Sequence, residues 1–408
     1  LSPGAPAVDV FANDGVDPVI EGLAFTEGTE YIEVAPGTYD FDVAATGGTA
    51  DDSILALDDI ELEANTRYSI VAYDAPEDIK GLFFQDDFSN IPDDTIRVRP
   101  VHTAVGIDEV DGWDVTDPGA PELLFENVDF GDAADPLDLA VRDYAFGLDT
   151  NDDQLMDATF DVPALSGGIL ANFYAVTDES GPFILGHLPT GETVRIDPRG
   201  PTGFVRVVHA SPDAPAVDVF VDDAMEPAIQ GLAFGESSSY TALPAGTYDV
   251  DVAPAGGTLE DAVLSVDDLE VEDGEFLTAV AYDFVSDIKV LTFTDNYGSL
   301  PPGQVRARAV HTAPAFGPVD VLNIPESGDP TVVYDELEFG TTGQQLDLPA
   351  GTYLLGIDTN NDLMPEATFT ITGPEGVFAN IYAVNDDAGN PSLLVQLRDG
   401  TVLPVSPE

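Results

Sequence analysis

The sequence contains no cysteine and only two lysines, Lys80 and Lys289, in 408 residues. The first absence excludes a disulfide framework, a thiolate metal centre and a thiol nucleophile. The second belongs to a wider shortage of positive charge: 12 Lys plus Arg stand against 77 Asp plus Glu, a net charge of -65. Such a chain repels a phosphate backbone, which excludes nucleic acid as a partner. No apolar run approaches the ~20 residues that a helix needs to cross a bilayer, so membrane insertion is not expected. The nearest N-glycosylation acceptor, Asn390-Pro391-Ser392, is spoiled by its proline. Gly-x-Ser-x-Gly, His-Glu-x-x-His and a Lys-bearing phosphate loop are all missing. The single tryptophan, Trp113, offers one platform at most for stacking a sugar.

What is present is apolar content, 44% of residues, in short runs of Val, Ile, Leu and Phe. A disordered acidic chain combines high charge with low hydrophobicity, so this one is expected to fold. Its net charge makes the folded state repel itself in dilute buffer. Molar salt shortens the Debye length to about 3 Å and screens most of that repulsion. The composition therefore reads as a halophile's protein, which desalting should unfold. The opening Leu in place of Met reads as processing or trimming, and an exported, extracellular protein is expected.

Sliding the chain against itself reveals a nearly constant offset of 209 residues. "AVDVF" at Ala7 recurs at Ala216, "GTYDFDVA" at Gly37 returns as "GTYDVDVA" at Gly246, and "VHTA" at Val101 recurs at Val310. Each half divides again, because "TRYSIVAYD" at Thr66 resembles "GILANFYAVTD" at Gly168, and "EFLTAVAYD" at Glu275 resembles "GVFANIYAVND" at Gly376. Four modules follow, at 1–94, 95–201, 202–302 and 303–408. "DPRGPTG", from Asp197 to Gly203, is the clearest linker, since its prolines and glycines cannot continue a ladder. In the third module, seven short alternating segments rich in Val, Tyr, Phe and Thr are separated by Pro, Gly and Asp. The expected fold is all-β: four tandem immunoglobulin-like antiparallel β-sandwich modules forming a rod-like chain, two copies of a two-module unit.

"VRVVHASPDAPAVDVFVDD" from Val205, followed by "GLAFGESSSYTALPAGTYDVDVAPAG" from Gly231, resembles a domain-of-unknown-function family of secreted and surface proteins (DUF4397-type), common in haloarchaea and some bacteria. The third module matches nearly throughout and the first from its second strand onward. The second and fourth, opening with "RVRPVHT" and "RARAVHT", look like divergent companions. The resemblance implies an extracellular sandwich without established enzymatic activity, and it carries over no catalytic residue.

Two constellations invite chemistry. His102, His209 and His311 occupy equivalent places, each followed by an aspartate in the next strand: Asp114, Asp218 and Asp320. A His–Asp pair suits acid–base work. Strand alternation, however, puts His209 on the core face with Val205 and Val207, and a packed, hydrogen-bonded histidine is the expectation. The loops "DTNDDQLMD" and "DTNNDLMPE" place oxygen side chains at calcium-loop positions 1, 3, 5 and 9: Asp149, Asn151, Asp153 and Asp157, then Asp358, Asn360, Asp362 and Glu366. Two requirements fail, since position 6 is Gln154 or Leu363 where Gly belongs, and position 12 is Phe160 or Phe369 where a bidentate Glu belongs.

The first module contains no counterpart of the strand Val205–His209. A sandwich without that strand loses cover for about three apolar side chains and several hydrogen bonds, roughly 5–10 kcal/mol. A whole domain is worth roughly 5–15 kcal/mol. Three sources for the strand are open: residues ahead of Leu1, another internal segment, or another molecule by donor-strand complementation. The alternating stretch from Ser392 to Pro407 is the donor candidate, and it would give a head-to-tail homopolymer. The functional expectation is a non-enzymatic structural or adhesion protein of the cell surface, needing no cofactor. The alternative is a calcium-loaded accessory module binding a glycan or surface polymer, and a hydrolase with an unreadable site is a third.

Overall fold

A computed structural model of the chain describes residues 1–222, 224–385 and 389–408. The last residues of two quoted repeats, Asp223 and Asp386, lie outside the described residues. The chain divides into two compact units. The first spans Leu1 to Arg199 apart from 117–120 and 153–155, and the second begins at Gly200, inside the "DPRGPTG" stretch. The fold is all-β, and no helix among the described residues is long and apolar enough to cross a membrane.

The third module shows the plan. One sheet holds its fourth, first, seventh and eighth strands (Thr241–Pro244, Thr202–Ala210, Phe276–Tyr282, Lys289–Thr294). The facing sheet holds its third, second, fifth and sixth strands (Ile229–Leu232, Val217–Val221, Gly246–Pro254, Leu264–Val271). Seven of these eight match the alternating segments of the sequence. The remaining one, the third strand Ile229–Leu232, is four residues long with Gly231 at φ +64°, and its bulged register hides it from a period-two search. The first and seventh strands run parallel, from Phe204 beside Phe276 to Ala210 beside Tyr282, and the other pairs are antiparallel. Strand alternation sends Val207 inward to a core with Val217, Val219, Leu232 and Val252. It sends Val208 and Ala210 outward, onto Tyr382, Val384 and Leu394 of the fourth module. Each unit is thus two sandwiches fused through apolar outer faces, and in the first unit Val71 of the first module meets Tyr174, Val176 and Phe183 of the second.

A tyrosine pins the turn into the fifth strand in all four modules. Its hydroxyl donates to the carbonyl four residues back: Tyr39 to Ala35 (2.8 Å), Tyr144 to Ala140 (3.0 Å), Tyr248 to Pro244 (2.6 Å) and Tyr353 to Pro349 (2.5 Å). The repeated "GTYD" therefore marks a corner as well as a strand.

Candidate functional site

The three repeated histidines are buried, with 0–1% of their surface exposed. Their partners assign one tautomer throughout. The Nε2–H of His102, His209 and His311 donates to Ile107 O (3.1 Å), Pro215 O (3.0 Å) and Gly317 O (2.8 Å). Each Nδ1 accepts the N–H two residues on, at Ala104, Ser211 and Ala313. Burial lowers all three pKa values, so the rings stay neutral. Both nitrogens are committed to backbone, and each ring closes the turn that follows the first strand.

The aspartates do separate work. Asp218 accepts Gly231 N–H at 2.7 Å and Gly256 N–H at 2.8 Å, and Asp9 accepts Gly22 N–H and Gly47 N–H at the same distances. The N–H bonds from Gly47 and then Gly22 lower the Asp9 pKa. In the fourth module Asp320 accepts Glu336 N–H, and in the second the same bond runs from Asn127 N–H to Asp111, both at 2.7 Å. Asp111, and not Asp114, is therefore the equivalent of Asp218 and Asp320. Asp114 lies three residues on and pairs with Thr116 and Arg142. Each donor N–H belongs to a residue at positive φ, Gly22, Asn127, Gly231 or Glu336, so the aspartate clamps a bulge on the neighbouring strand.

The two acidic loops are held together by their own carboxylates. Asp149 accepts the N–H groups of Asn151 and Asp152, and Asp157 accepts Thr150 N–H, Thr150 Oγ1–H and Asn151 Nδ2–H. Asp153 accepts Leu155 N–H. In the second copy Asp358 takes three N–H groups, from Asn360, Asn361 and Leu363, and Glu366 takes Thr359 N–H and Asn360 Nδ2–H. Asp362 accepts Met364 N–H. Among the described residues no three His, Cys, Asp or Glu side chains are grouped to hold a metal ion.

The first module differs from the third along one strand. Its seventh strand, Arg67–Tyr73, pairs with the eighth, Lys80–Asp86, and among the described residues no other strand pairs with it. Leu1 N–H reaches Ala72 O at 2.5 Å. The segment matching the fourth strand, 32–35, is not a strand, and Ile32 and Val34 are 49% and 48% exposed. Ile70 is 39% exposed, whereas Ala279 at the same place in the third module is 8% exposed. Val8 and Val10 are half-buried, whereas Val217 and Val219 are buried.

A buried aspartate sits beside that edge. In the third module Asp295 binds Arg206 of the first strand (2.7 Å), Thr278 (2.6 Å) and Tyr240 (2.7 Å), and Arg206 reaches on to Leu397 O of the fourth module at 2.9 Å. The equivalent Asp86 keeps Ser69 (2.6 Å) and Tyr31 (2.7 Å), and its charge is met by Arg99 of the second module at 2.5 Å. Burial, and then the Asp86 charge, raise the Tyr31 pKa, so it remains a donor. The C-terminal donor candidate is placed in its own module: Pro391–Leu397 and Val402–Val405 pair within the fourth module's sheet, with Leu393, Leu394 and Val395 buried. His187 corresponds to Gln396 at the repeat offset, and the two bind neighbouring places in the paired modules, Thr29 O (3.2 Å) and Ser237 Oγ (2.7 Å).

Comparison with proteins of curated function gives no match. Among solved structures, the Bacillus anthracis TIE protein aligns over 95% of this chain and 67% of its own, at 10% identity and a TM-score of 0.15. A leucine-rich repeat protein from Bacteroides thetaiotaomicron aligns over 51% of this chain and 25% of its own, at 17% identity and a TM-score of 0.13. The model of the domain of unknown function DUF4397 matches residues 1–113 and 203–322, the first and third modules together with the opening strands of their companions. Those matches cover more than half of the sequence and repeat at the internal offset, and the chain belongs to the DUF4397 family.

Proposed function

We propose that this is a non-enzymatic structural and adhesion protein of a halophile's extracellular surface, which associates with copies of itself. The observation that carries the reading is that both ring nitrogens of His102, His209 and His311, the repeated candidates for acid–base work, are engaged by backbone groups. The net charge of -65 supports a high-salt setting.

The test uses the full chain in molar salt. Sedimentation and electron microscopy should show concentration-dependent association. Single chains at every concentration would refute the reading.

A further inference from the structure

The interior of the second module holds a cavity of about 70 Å³ between its two sheets, walled by residues that include Ile96, Val98, Phe125, Leu137, Leu139 and Phe146. It reaches the surface at Val141, Arg142 and Pro163, which are exposed. Only three lining residues carry polar side-chain groups, and each is already engaged. His102 binds Ile107 O, Arg142 binds Asp114 and Thr116, and the Tyr144 hydroxyl binds Ala140 O. A water inside needs two to four polar partners, and these walls offer none, so the cavity favours an apolar occupant.

The fourth module explains how the cavity arises. There Tyr334, on the third strand, bridges to the opposite sheet: its ring lies over Gly343 and its hydroxyl donates to Gln344 O at 2.7 Å. A Cβ on Gly343 would fall 2.1 Å from that ring. The residue beside Tyr334 on the second strand is Val321. In the second module both neighbours are exchanged. Ala134 stands at the Gly343 position, its N–H bonding Pro100 O as Gly343 N–H bonds Ala309 O, and Gly112 stands at the Val321 position. Phe125 accordingly turns the other way and lies flat on Gly112, where a Cβ would meet the ring at 2.2 Å. The ring that closes this end of the fourth module thus leaves the same end of the second open.

We infer that the second module binds a ring-sized, uncharged apolar group between its sheets, in the space kept open by the Gly112–Ala134 pair. Burial of such a group needs no polar partner from the protein, and the pocket is largely formed beforehand. This site is independent of the proposed self-association.

Benzene is the probe, titrated into the full chain in molar salt and followed by ¹³C-methyl spectra. Saturable shifts are expected at Ile96, Val98, Leu137 and Leu139. The matching methyls of the fourth module, at Val305, Leu346 and Leu348, should not respond, which gives a control within one molecule. Exchanging the pair, Gly112→Val with Ala134→Gly, should weaken binding at least about tenfold by returning the ring to the bridging position. Equal shifts in both modules, no saturation in the second, or unchanged affinity in the exchanged variant would each overturn the inference.

Discussion

Replacing Arg206 with methionine should cost the second unit about 3–5 kcal/mol. Arg206 and Asp295 have side chains 1% exposed. The guanidinium donates to Asp295 Oδ2 (2.7 Å), Thr278 Oγ1 (2.8 Å) and Leu397 O (2.9 Å), and it lies 4.5 Å from the Tyr240 ring centroid. Methionine fills much of the volume but leaves a buried carboxylate whose nearest remaining cation, Arg308, is 3.7 Å away. Breaking one side of a buried pair is expensive because the other charge stays behind, whereas removing both can be nearly neutral. The double variant Arg206→Met with Asp295→Asn should therefore recover most of the loss. For a unit of this size 1 kcal/mol moves the melting temperature by about 2–4 °C, so the single variant should melt roughly 10 °C lower. Calorimetry in molar salt, reading the second unit's transition, is the assay. A single variant within about 1 kcal/mol of the parent, or a double variant no better than the single, would refute the account of Arg206 as the lock between the two sandwiches.

Three further outcomes are expected. The folded pKa values of His102, His187, His209 and His311 are lowered by burial, so below about pH 6.5 the unfolded chain binds protons that the folded one refuses. Stability should be level above that pH and fall below it, by up to about 1.4 kcal/mol per pH unit for each histidine, and a melting temperature that holds or rises between pH 7 and 5.5 would refute this. Glu336 sits at φ +46°, where the matching residues are Gly22, Asn127 and Gly231, and Glu336→Gly should stabilise the second unit by about 1 kcal/mol in denaturant titration. Neutralising the exposed Glu61, Glu126 and Glu270 to Gln should lower the salt concentration at which half the protein is folded, and an unmoved midpoint would refute self-repulsion as the cause of salt demand.

The strands were legible because they alternate, and His209 because alternation alone assigns it to the core face. The strand Ile229–Leu232 was not, since four residues interrupted by a bulge carry no period. "VDGWD" offers two aspartates, and the "(V/W)DV" pattern favours Asp114, whereas the 209-residue offset and the register, Asp111 opposite Asp149 and Asp320 opposite Asp358, both select Asp111. The Arg206–Asp295 pair joins residues 89 apart in sequence, and the motif containing Arg206 holds no sign of a partner at the end of the eighth strand. The Gly112–Ala134 pair emerges only when a packing contact shows which residues answer one another across the two halves.

The distribution of positive charge connects the fold to the composition. Among the described residues ten of the twelve cations form ion pairs, including Lys80–Asp74, Lys289–Asp283, Arg97–Asp138 and Arg306–Asp347. The other two lie on aromatic faces, Arg67 at 4.5 Å from Phe88 and Arg398 at 4.4 Å from Tyr297. Several recur at the repeat offset with the same partner, Lys80 with Lys289 and Arg97 with Arg306. Each retained cation thus holds a strand end, a loop or the seam between sandwiches, and this leaves none to neutralise the remaining carboxylates. Exposed pairs of this kind contribute at most about 1 kcal/mol each, so they do not offset the repulsion of a net charge of -65. Screening by salt is then the main relief open to the folded state, and the proposed dependence on salt would follow from where the twelve cations are placed as much as from how few they are.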